Sequence, residues 1–210
     1  MWVVKVGGSL QFSRSLVDWL KLLAREGGGN VAVVPGGGEF ADRVRATQAG
    51  LGFDDATAHR LALQAMEEFA GVLAHLEPRL VPAASEREIR QTVSCGLVPV
   101  WLPSQMAGSA PEIPQDWSVT SDSLALWLAR RLQADAVILL KSVEPPRNSR
   151  DAAQLAAAGY VDEAFPRFFA DYSGRVTVVA QDDKQSMAAW LRSGALPEEK
   201  RLVIRDEALV

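Results

Sequence analysis

Two glycine-rich junctions near the start of the chain have residue types that suit phosphate binding. The first is Lys5-Val6-Gly7-Gly8-Ser9 and the second is Pro35-Gly36-Gly37-Gly38-Glu39. Each follows a short apolar run typical of a buried strand and precedes a helical pattern. Glycines let backbone N–H groups approach phosphate oxygens, and a helix N-terminus adds a favourable dipole. We therefore expect an anion site where two strands end; the alternative is that the glycines only turn the chain.

Lys5 stands inside the first apolar run. Because a lysine is rarely buried without a partner, we expect its ammonium group to point out of the sheet end toward an anion. Phosphoryl transfer needs cations and N–H donors around the transferred group, and Lys5 with the glycine amides supplies both. The alternative is a surface lysine with a covered stem and a solvated charge. Neither junction has the Walker A or the G-x-G-x-x-G spacing, which disfavours a P-loop or dinucleotide fold.

Two further charged residues stand where elements are expected to begin or end. Asp122 would lie in the first turn of a helix that starts at Ser121. It either complements the helix dipole, orients Lys5 or holds magnesium. Lys141 follows the apolar run Ala136–Leu140 and would either meet the β- or γ-phosphate of a nucleotide or be solvated in a loop.

Apolar runs alternate with helical patterns along the whole chain. The runs predict strands at Val3–Val6, Val31–Val34, Leu97–Leu102, Ala136–Leu140, Val176–Ala180 and Leu202–Ile204. Between them, Asp54 is positioned to cap a long helix, and Ser85-Glu86-Arg87-Glu88 has the capping-box pattern of a helix start. This alternation favours an α/β fold with a mainly parallel central sheet covered by helices on both faces. With no internal repeat and no long linker, residues 1–210 are expected to form one domain.

Composition narrows the function classes. The 210 residues are 48% hydrophobic and 23% charged, as in ordinary soluble globular domains, and the net charge of −4 offers no basic field for nucleic acid or anionic membranes. A single cysteine, Cys95, excludes a disulfide within one chain, and two histidines exclude a multi-histidine metal site. The N-terminus has no signal-peptide pattern, and no window reaches about 18 apolar residues. We expect a cytoplasmic protein without a nucleic-acid or membrane partner.

Four segments, in this order along the chain, resemble the amino acid kinase superfamily. They are Val4–Ser9, Val34–Gly38, Thr120–Ala125 and Leu140–Val143. The resemblance implies an amino acid kinase-like αβα sandwich and an ATP-dependent kinase that uses Mg²⁺. It also implies that residues 1–135 bind the acceptor and its phosphate while residues 136–210 bind the nucleotide. Since members of the superfamily are usually homodimers or multiples of them, a homodimer or higher homo-oligomer is expected.

Further segments are similar to the small kinases of methanofuran and methylofuran biosynthesis, a part of one-carbon metabolism. These segments are Ala58–Ala62, Val98–Pro103, Trp117–Ala125 and Gly159–Pro166. This resemblance implies phosphorylation of a phosphate monoester, [5-(aminomethyl)furan-3-yl]methyl phosphate, to a diphosphate. Isopentenyl phosphate and nucleoside monophosphates are the alternative acceptors. A degenerate protein that binds nucleotide or phosphate without catalysis is a third reading.

The resemblance also assigns roles to residues. Lys5 would neutralise the transferred phosphoryl group, and Asp122 would organise that lysine. The residues expected at the phosphate and acceptor are Gly7, Gly8, Ser9, Gly36, Gly37, Gly38 and His59, and those expected at the nucleotide are Lys141, Ser142 and Val143. No protein metal ligand is assigned. Many members carry a second catalytic lysine in the C-terminal third, for which Lys184 is the nearest candidate, although it could equally lie in a surface turn.

Overall fold

A computed structural model describes residues 1–146 and 150–203, apart from the side chain of Glu199. The described residues form one six-stranded parallel sheet in the order β3-β4-β2-β1-β5-β6. The strands are β1 (Trp2–Val6), β2 (Val31–Pro35), β3 (Leu80–Ala83), β4 (Val98–Trp101), β5 (Ala136–Lys141) and β6 (Arg175–Ala180). The predicted α/β class with a parallel central sheet is therefore confirmed.

Helices cover the sheet on both faces. They are α1 (Leu16–Gly27), α2 (Gly38–Leu51), α3 (Asp55–Leu76), α4 (Glu86–Ser94), α5 (Ser104–Ala107), α6 (Ser121–Leu132), α7 (Ala152–Ala157), α8 (Phe165–Ala170) and α9 (Lys184–Ser193). Short 3-10 turns occupy Gly8–Phe12 and Glu198–Lys200. None of the helices in the described ranges has both the length and the apolar character needed to cross a bilayer.

Side-chain caps start two of the predicted helices. The Asp54 carboxylate accepts from the Thr57 backbone N–H at 2.7 Å at the start of α3. The Ser85 hydroxyl accepts from the Glu88 N–H at 3.3 Å at the start of α4. The Glu88 carboxylate accepts in return from the Ala84 N–H at 2.7 Å. The bonds from Thr57 and Glu88 satisfy N–H groups that a helix leaves without partners in its first turn.

The two faces of the sheet carry separate apolar cores. Val3, Val137 and Leu139 pack with α6 on one face, whereas Trp2, Val4 and Ile138 pack with α1 and α9 on the other. Because side chains alternate along a strand, Lys5 and Lys141 share the α6 face with the first group. The chain thereby directs two lysines toward the same helix.

Strand order places these lysines at a special point of the sheet. From β1 the chain proceeds through β2 toward the β3 edge, and then returns to the other side of β1 as β5. Helix connections on the two sides of such a point leave a crevice at the carboxyl ends of the strands. Lys5 and Lys141 lie at the ends of β1 and β5, which pair directly in parallel.

Several expected elements differ in the structure. Strand β3 was not predicted, because it is short, contains Pro82 and lies half-exposed at the sheet edge. The predicted strand Leu202–Ile204 is reduced, within the described residues, to isolated bridges at Arg201 and Val203; Ile204 lies outside them. The proline-rich stretch 103–116, predicted as a loop, contains the short α5. Residues 147–149 of the predicted polar turn also lie outside the described residues.

The apolar stripe of α3 is mainly core. Leu63, Phe69 and Leu73 are buried, while Val72 and Leu76 are 40% and 37% exposed. Homo-oligomerisation stays a prediction.

Candidate active site

Asp122 lies between two lysine ammonium groups. Lys5 Nζ is 2.9 Å from Asp122 Oδ1, and Lys141 Nζ is 2.6 Å from Asp122 Oδ2. The side chains of Lys5 and Asp122 are only 7% and 6% exposed, and that of Lys141 is 13% exposed. A buried carboxylate with one cation on each oxygen holds both cations at defined positions. The two lysines thus form a fixed pair of positive charges at the sheet end.

The local charge balance shifts two protonation equilibria. Burial alone would raise the pKa of Asp122, but Lys5 and Lys141 together hold it below its ordinary value. Burial and the neighbouring Lys5 lower the pKa of Lys141 to about 8, against the opposing attraction of Asp122. Near neutral pH the cluster of two lysines and one aspartate therefore carries a net positive charge, which suits an anionic ligand.

The two glycine-rich loops lie backbone against backbone beside this cluster. A Cβ placed on Gly8 would lie 2.2 Å from the Gly38 nitrogen, and one on Gly36 would lie 2.3 Å from the Gly8 nitrogen. No side chain fits at such distances, so the glycines are required by the contact between the loops as well as by any ligand. Gly38 also has φ of 53°, a left-handed conformation that favours glycine.

A cavity of about 260 Å³ opens onto the lysines and the loops. Its lining includes most of the predicted site residues, namely Lys5, Gly7, Gly8, Ser9, Gly37, Gly38, His59 and Lys141. Asp122 lies behind the lysines, and Gly36 lies in the contact between the loops. The structure therefore brings residues from β1, α2, α3 and β5 to one place.

Other side chains complete the cavity and were not among the predicted site residues. The wall is formed by Ala41, Asp42, Arg45, Ala62, Leu63, Met66, Trp117, Val119, Thr120, Ser121 and Leu124. The Arg45 guanidinium stacks 4.2 Å from the centroid of the Trp117 ring. The Trp117 indole N–H donates to the Gln48 side-chain oxygen at 2.6 Å. The sequence contained one indication of this wall. Ala41, Asp42 and Arg45 follow the second glycine loop at helical spacing, which places them on one face of the helix that the loop starts.

His59 enters the cavity wall from the second turn of α3. It is 5% exposed, and its Nε2 has no hydrogen-bond partner among the described residues. Burial lowers the pKa of His59, and the Asp116 carboxylate partly opposes that shift. A buried, unpaired imidazole nitrogen beside a cavity is available to bind a polar group of a ligand.

Residues 141–143 have three different environments. Lys141 is not a solvated loop residue, because its ammonium group pairs with Asp122 and donates to the Tyr160 carbonyl at 2.7 Å. The Ser142 hydroxyl accepts from the Ser9 hydroxyl at 2.9 Å. Val143 is 61% exposed, and its carbonyl accepts from the Tyr160 hydroxyl at 2.8 Å. The nucleotide-binding role of these residues stays a prediction.

Lys184 lies apart from this cluster. Its ammonium group is 3.0 Å from an Asp18 carboxylate oxygen, which joins the start of α9 to the start of α1. It does not line the cavity. The second lysine beside Asp122 is instead Lys141, which sequence reasoning assigned only to the nucleotide.

The sequence is similar to that of known proteins over most of its length. Residues 1–165 match the Amino acid kinase family. The chain is 28% identical over 189 residues to [5-(aminomethyl)furan-3-yl]methyl phosphate kinase of Methanocaldococcus jannaschii, covering 85% of this chain and 87% of that protein.

Two solved structures show the same fold. Uridylate kinase from Archaeoglobus fulgidus superposes with a TM-score of 0.67 at 18% identity, covering 90% of this chain and 95% of that one. An isopentenyl phosphate kinase superposes with a TM-score of 0.61 at 16% identity, covering 96% and 98%. The family match extends over β1, both glycine loops, Asp122 and Lys141. This chain therefore belongs to the amino acid kinase family.

Proposed function

We propose that this kinase transfers the γ-phosphoryl group of ATP to a small phosphate monoester and produces a diphosphate. The observation that carries the proposal is the pair of ammonium groups held on Asp122 in the wall of a glycine-lined cavity. In phosphoryl transfer, negative charge spreads over the oxygens of the moving group, and fixed cations and N–H donors stabilise it. Lys5, Lys141 and the loop amides supply such a set.

The proposed reaction is a direct in-line transfer. An oxygen of the acceptor phosphate attacks the γ-phosphorus, a new P–O bond forms, and the bond to the β–γ bridging oxygen breaks as ADP leaves. Lys5 and Lys141 would hold the transferred group between acceptor and nucleotide. Asp122 would keep the two ammonium groups from repelling each other and fix their spacing.

ATP and Mg²⁺ are the proposed cofactors. Within the described residues, no group of three metal-ligating side chains is close enough to hold an ion. Asp122 is already bound by two lysines. We therefore propose that magnesium arrives with ATP and would neutralise part of the charge of its phosphates.

The nucleotide is proposed to lie over residues 136–210 and the acceptor over residues 1–135. Beyond Lys141, a small cavity of about 80 Å³ at the carboxyl end of β6 is lined by Glu144, Pro145, Val178–Ala180 and Asp183, among others. The larger cavity is lined almost wholly by residues that precede Leu132. The cluster of Lys5, Asp122 and Lys141 lies where the two parts meet.

The walls of the larger cavity support a small acceptor with mixed chemistry. Leu63, Met66 and Val119 offer apolar surface for a ring. Arg45 and the His59 Nε2, which has no hydrogen-bond partner within the described part of the chain, offer donors for phosphate oxygens. The Asp42 side chain is 73% exposed, and its Oδ1 lies 3.4 Å from an Arg45 guanidinium nitrogen. Its carboxylate could therefore also bind an ammonium group of the acceptor. We therefore propose [5-(aminomethyl)furan-3-yl]methyl phosphate, the substrate in the name of the M. jannaschii relative, as the acceptor.

Phosphorus NMR tests reaction and acceptor together. The protein is incubated with MgATP and the synthetic aminomethylfuranyl phosphate, and parallel samples contain isopentenyl phosphate or UMP. We expect ADP and a new diphosphate signal with the furan acceptor. A diphosphate formed only from isopentenyl phosphate or UMP would overturn the acceptor while keeping the kinase. Intact ATP with all three would favour a non-catalytic nucleotide- or phosphate-binding protein.

A carboxylate variant sharpens the choice of acceptor. Asp42→Asn should raise the KM for the furan acceptor, because the ammonium group loses its counter-charge, and should leave the KM for ATP unchanged. Glu68→Gln, an exposed carboxylate on α3 that does not line the cavity, is the matched control. An unchanged acceptor KM in Asp42→Asn would show that Asp42 does not bind the ammonium group of the acceptor.

A further inference from the structure

A short segment after α7, Tyr160–Asp162, touches both the active-site lysine and the active-site helix. The Tyr160 carbonyl accepts from Lys141 Nζ at 2.7 Å. Two residues later, the Asp162 carboxylate binds the first turn of α6, the helix that carries Asp122. The segment itself lies outside the strands of the sheet.

Asp162 accepts four hydrogen bonds from the start of α6. Its Oδ2 accepts from the Thr120 N–H at 2.9 Å, the Thr120 hydroxyl at 2.8 Å and the Ser123 N–H at 3.0 Å. Its Oδ1 accepts from the Ser123 hydroxyl. Thr120, the residue before the helix, makes no side-chain cap of its own. The Asp162 carboxylate, which is remote in the sequence, therefore caps the N-terminus of α6 and uses both of its oxygens.

Asp122 stands between these two anchored residues. Thr120 and Ser123 flank it in the same helical turn, so their bonds to Asp162 fix the backbone from which the Asp122 side chain reaches Lys5 and Lys141. We propose that Asp162 is a positioning residue for phosphoryl transfer, holding the first turn of α6 so that Asp122 sets the spacing of the two lysines. This inference rests on the proposed function.

The negative charge of Asp162 also acts on Lys141 in the cluster of Lys5, Asp122 and Lys141. Burial, together with the nearby Asp122, raises the pKa of Asp162, while the hydrogen bonds from Ser123 and Thr120 oppose the shift. The charged groups that act on Lys141 are Lys5 from β1, Asp122 from α6 and Asp162 from the 160–162 segment. Asp162 favours the protonated form of Lys141. Removing its charge should lower the pKa of Lys141 further below about 8.

The variant Asp162→Asn tests this role. It keeps the shape of the side chain, removes the charge and places an amide against donors of α6. We expect kcat to fall about 10- to 100-fold, because displaced catalytic groups lose much of their effect, with smaller changes in both KM values. Ser123→Ala removes one hydrogen-bond donor to Asp162 without adding atoms, and it should lower kcat by a smaller factor. This variant provides the test if Asp162→Asn fails to fold.

A readout independent of turnover separates this inference from the proposed function. The chain has five lysines, so their labelled ε-carbons can be followed by NMR during a pH titration, with Lys141→Arg identifying the Lys141 signal. In Asp162→Asn the Lys141 signal should titrate at lower pH than in the wild type. If the wild type transfers no phosphoryl group, the proposed function is wrong, but this titration still tests whether Asp162 acts on Lys141.

The matched control is Ser85→Ala, which removes the side-chain cap of α4, a helix that does not line the cavity. It should lower thermal stability and leave kcat and the Lys141 titration as in the wild type. If Asp162→Asn behaves like Ser85→Ala, with lower stability but unchanged kcat and Lys141 titration, Asp162 is only a helix cap and the inference is wrong.

Discussion

The Lys141 ammonium group lies 2.6 Å from the Asp122 carboxylate, on the opposite oxygen from the one that faces Lys5. This contact makes Lys141 part of a buried two-lysine cluster. The cluster draws on three elements, β1, α6 and β5, which are far apart in the sequence. The contribution of each lysine can be measured by substitution.

Lys5→Ala should abolish most turnover while preserving the fold. Loss of a group that stabilises developing charge typically lowers kcat about 10²- to 10³-fold. Asp122 keeps Lys141 as its partner in this variant, so the buried carboxylate is not left unpaired. Coupled ADP assays and circular dichroism on the same samples measure both effects.

Lys184→Ala is the control for that experiment. Its surface pair with Asp18 contributes little to stability, and it does not line the cavity, so turnover should stay close to that of the wild type. Wild-type turnover in Lys5→Ala, or a large loss in Lys184→Ala, would contradict the placement of the reaction at the Lys5–Asp122–Lys141 cluster.

Activity should fall as the pH rises through about 8. Lys141 is protonated below its pKa of about 8 and loses its charge above it, so the ion pair with Asp122 and the cation for the phosphoryl group are lost in that range. The pH profile of kcat/KM reports groups of the free enzyme and is the measurement to make. In Lys141→Arg, whose guanidinium stays charged, this alkaline limb should be absent. An alkaline limb at the same pH in both proteins would show that another group titrates.

Gly8→Ala should disrupt the contact between the two glycine loops. The new Cβ would lie 2.2 Å from the Gly38 nitrogen, so the loops must separate. Such overpacking typically costs about 1–3 kcal/mol, and we expect lower thermal stability together with a raised KM for ATP or acceptor. Thermal denaturation and steady-state kinetics measure both.

Gly71→Ala is the matched control within α3. A Cβ at Gly71 meets no atom within 4 Å. Because alanine favours a helix interior over glycine by about 0.5–1 kcal/mol, this variant should be slightly more stable and fully active. Equal effects of the two substitutions would mean that the loop contact has no special role.

His59→Leu should weaken acceptor binding selectively. Leucine can fill the buried position of the imidazole, but it lacks the Nε2 beside the cavity that has no partner among the described residues. Losing one hydrogen bond to a charged group costs about 1.5–3 kcal/mol, so we expect roughly a 10- to 100-fold rise in acceptor KM. The KM for ATP should not change. His75→Leu, at an exposed position near the end of the same helix, should leave both constants unaltered; a rise in ATP KM in His59→Leu would move His59 out of the acceptor site.

Local patterns predicted many elements well. Helix α6 begins at the predicted residue, Ser121, because a polar helix start is a local signal. The short edge strand β3 has a proline and only partial burial, so its pairing with β4 depends on the rest of the sheet. Leu202 and Val203 carry an apolar pattern but find only isolated bridges.

The sequence by itself determined the ingredients of the candidate site. An apolar strand that carries Lys5 and ends in glycines, a second glycine loop and an aspartate in a first helical turn are all readable from neighbours in the chain. They are readable because strand burial, glycine freedom and helix capping are local properties.

Only the tertiary structure decided that Lys141 meets Asp122 and that Asp162 meets the start of α6. Strand order brings β5 beside β1, and side-chain alternation turns Lys141 toward α6, so that it joins Lys5 on Asp122. The anchoring of Ser123 by Asp162 spans 39 residues of sequence. Such contacts depend on how the sheet and its covering helices close around a common core, and no local pattern of residues contains that information.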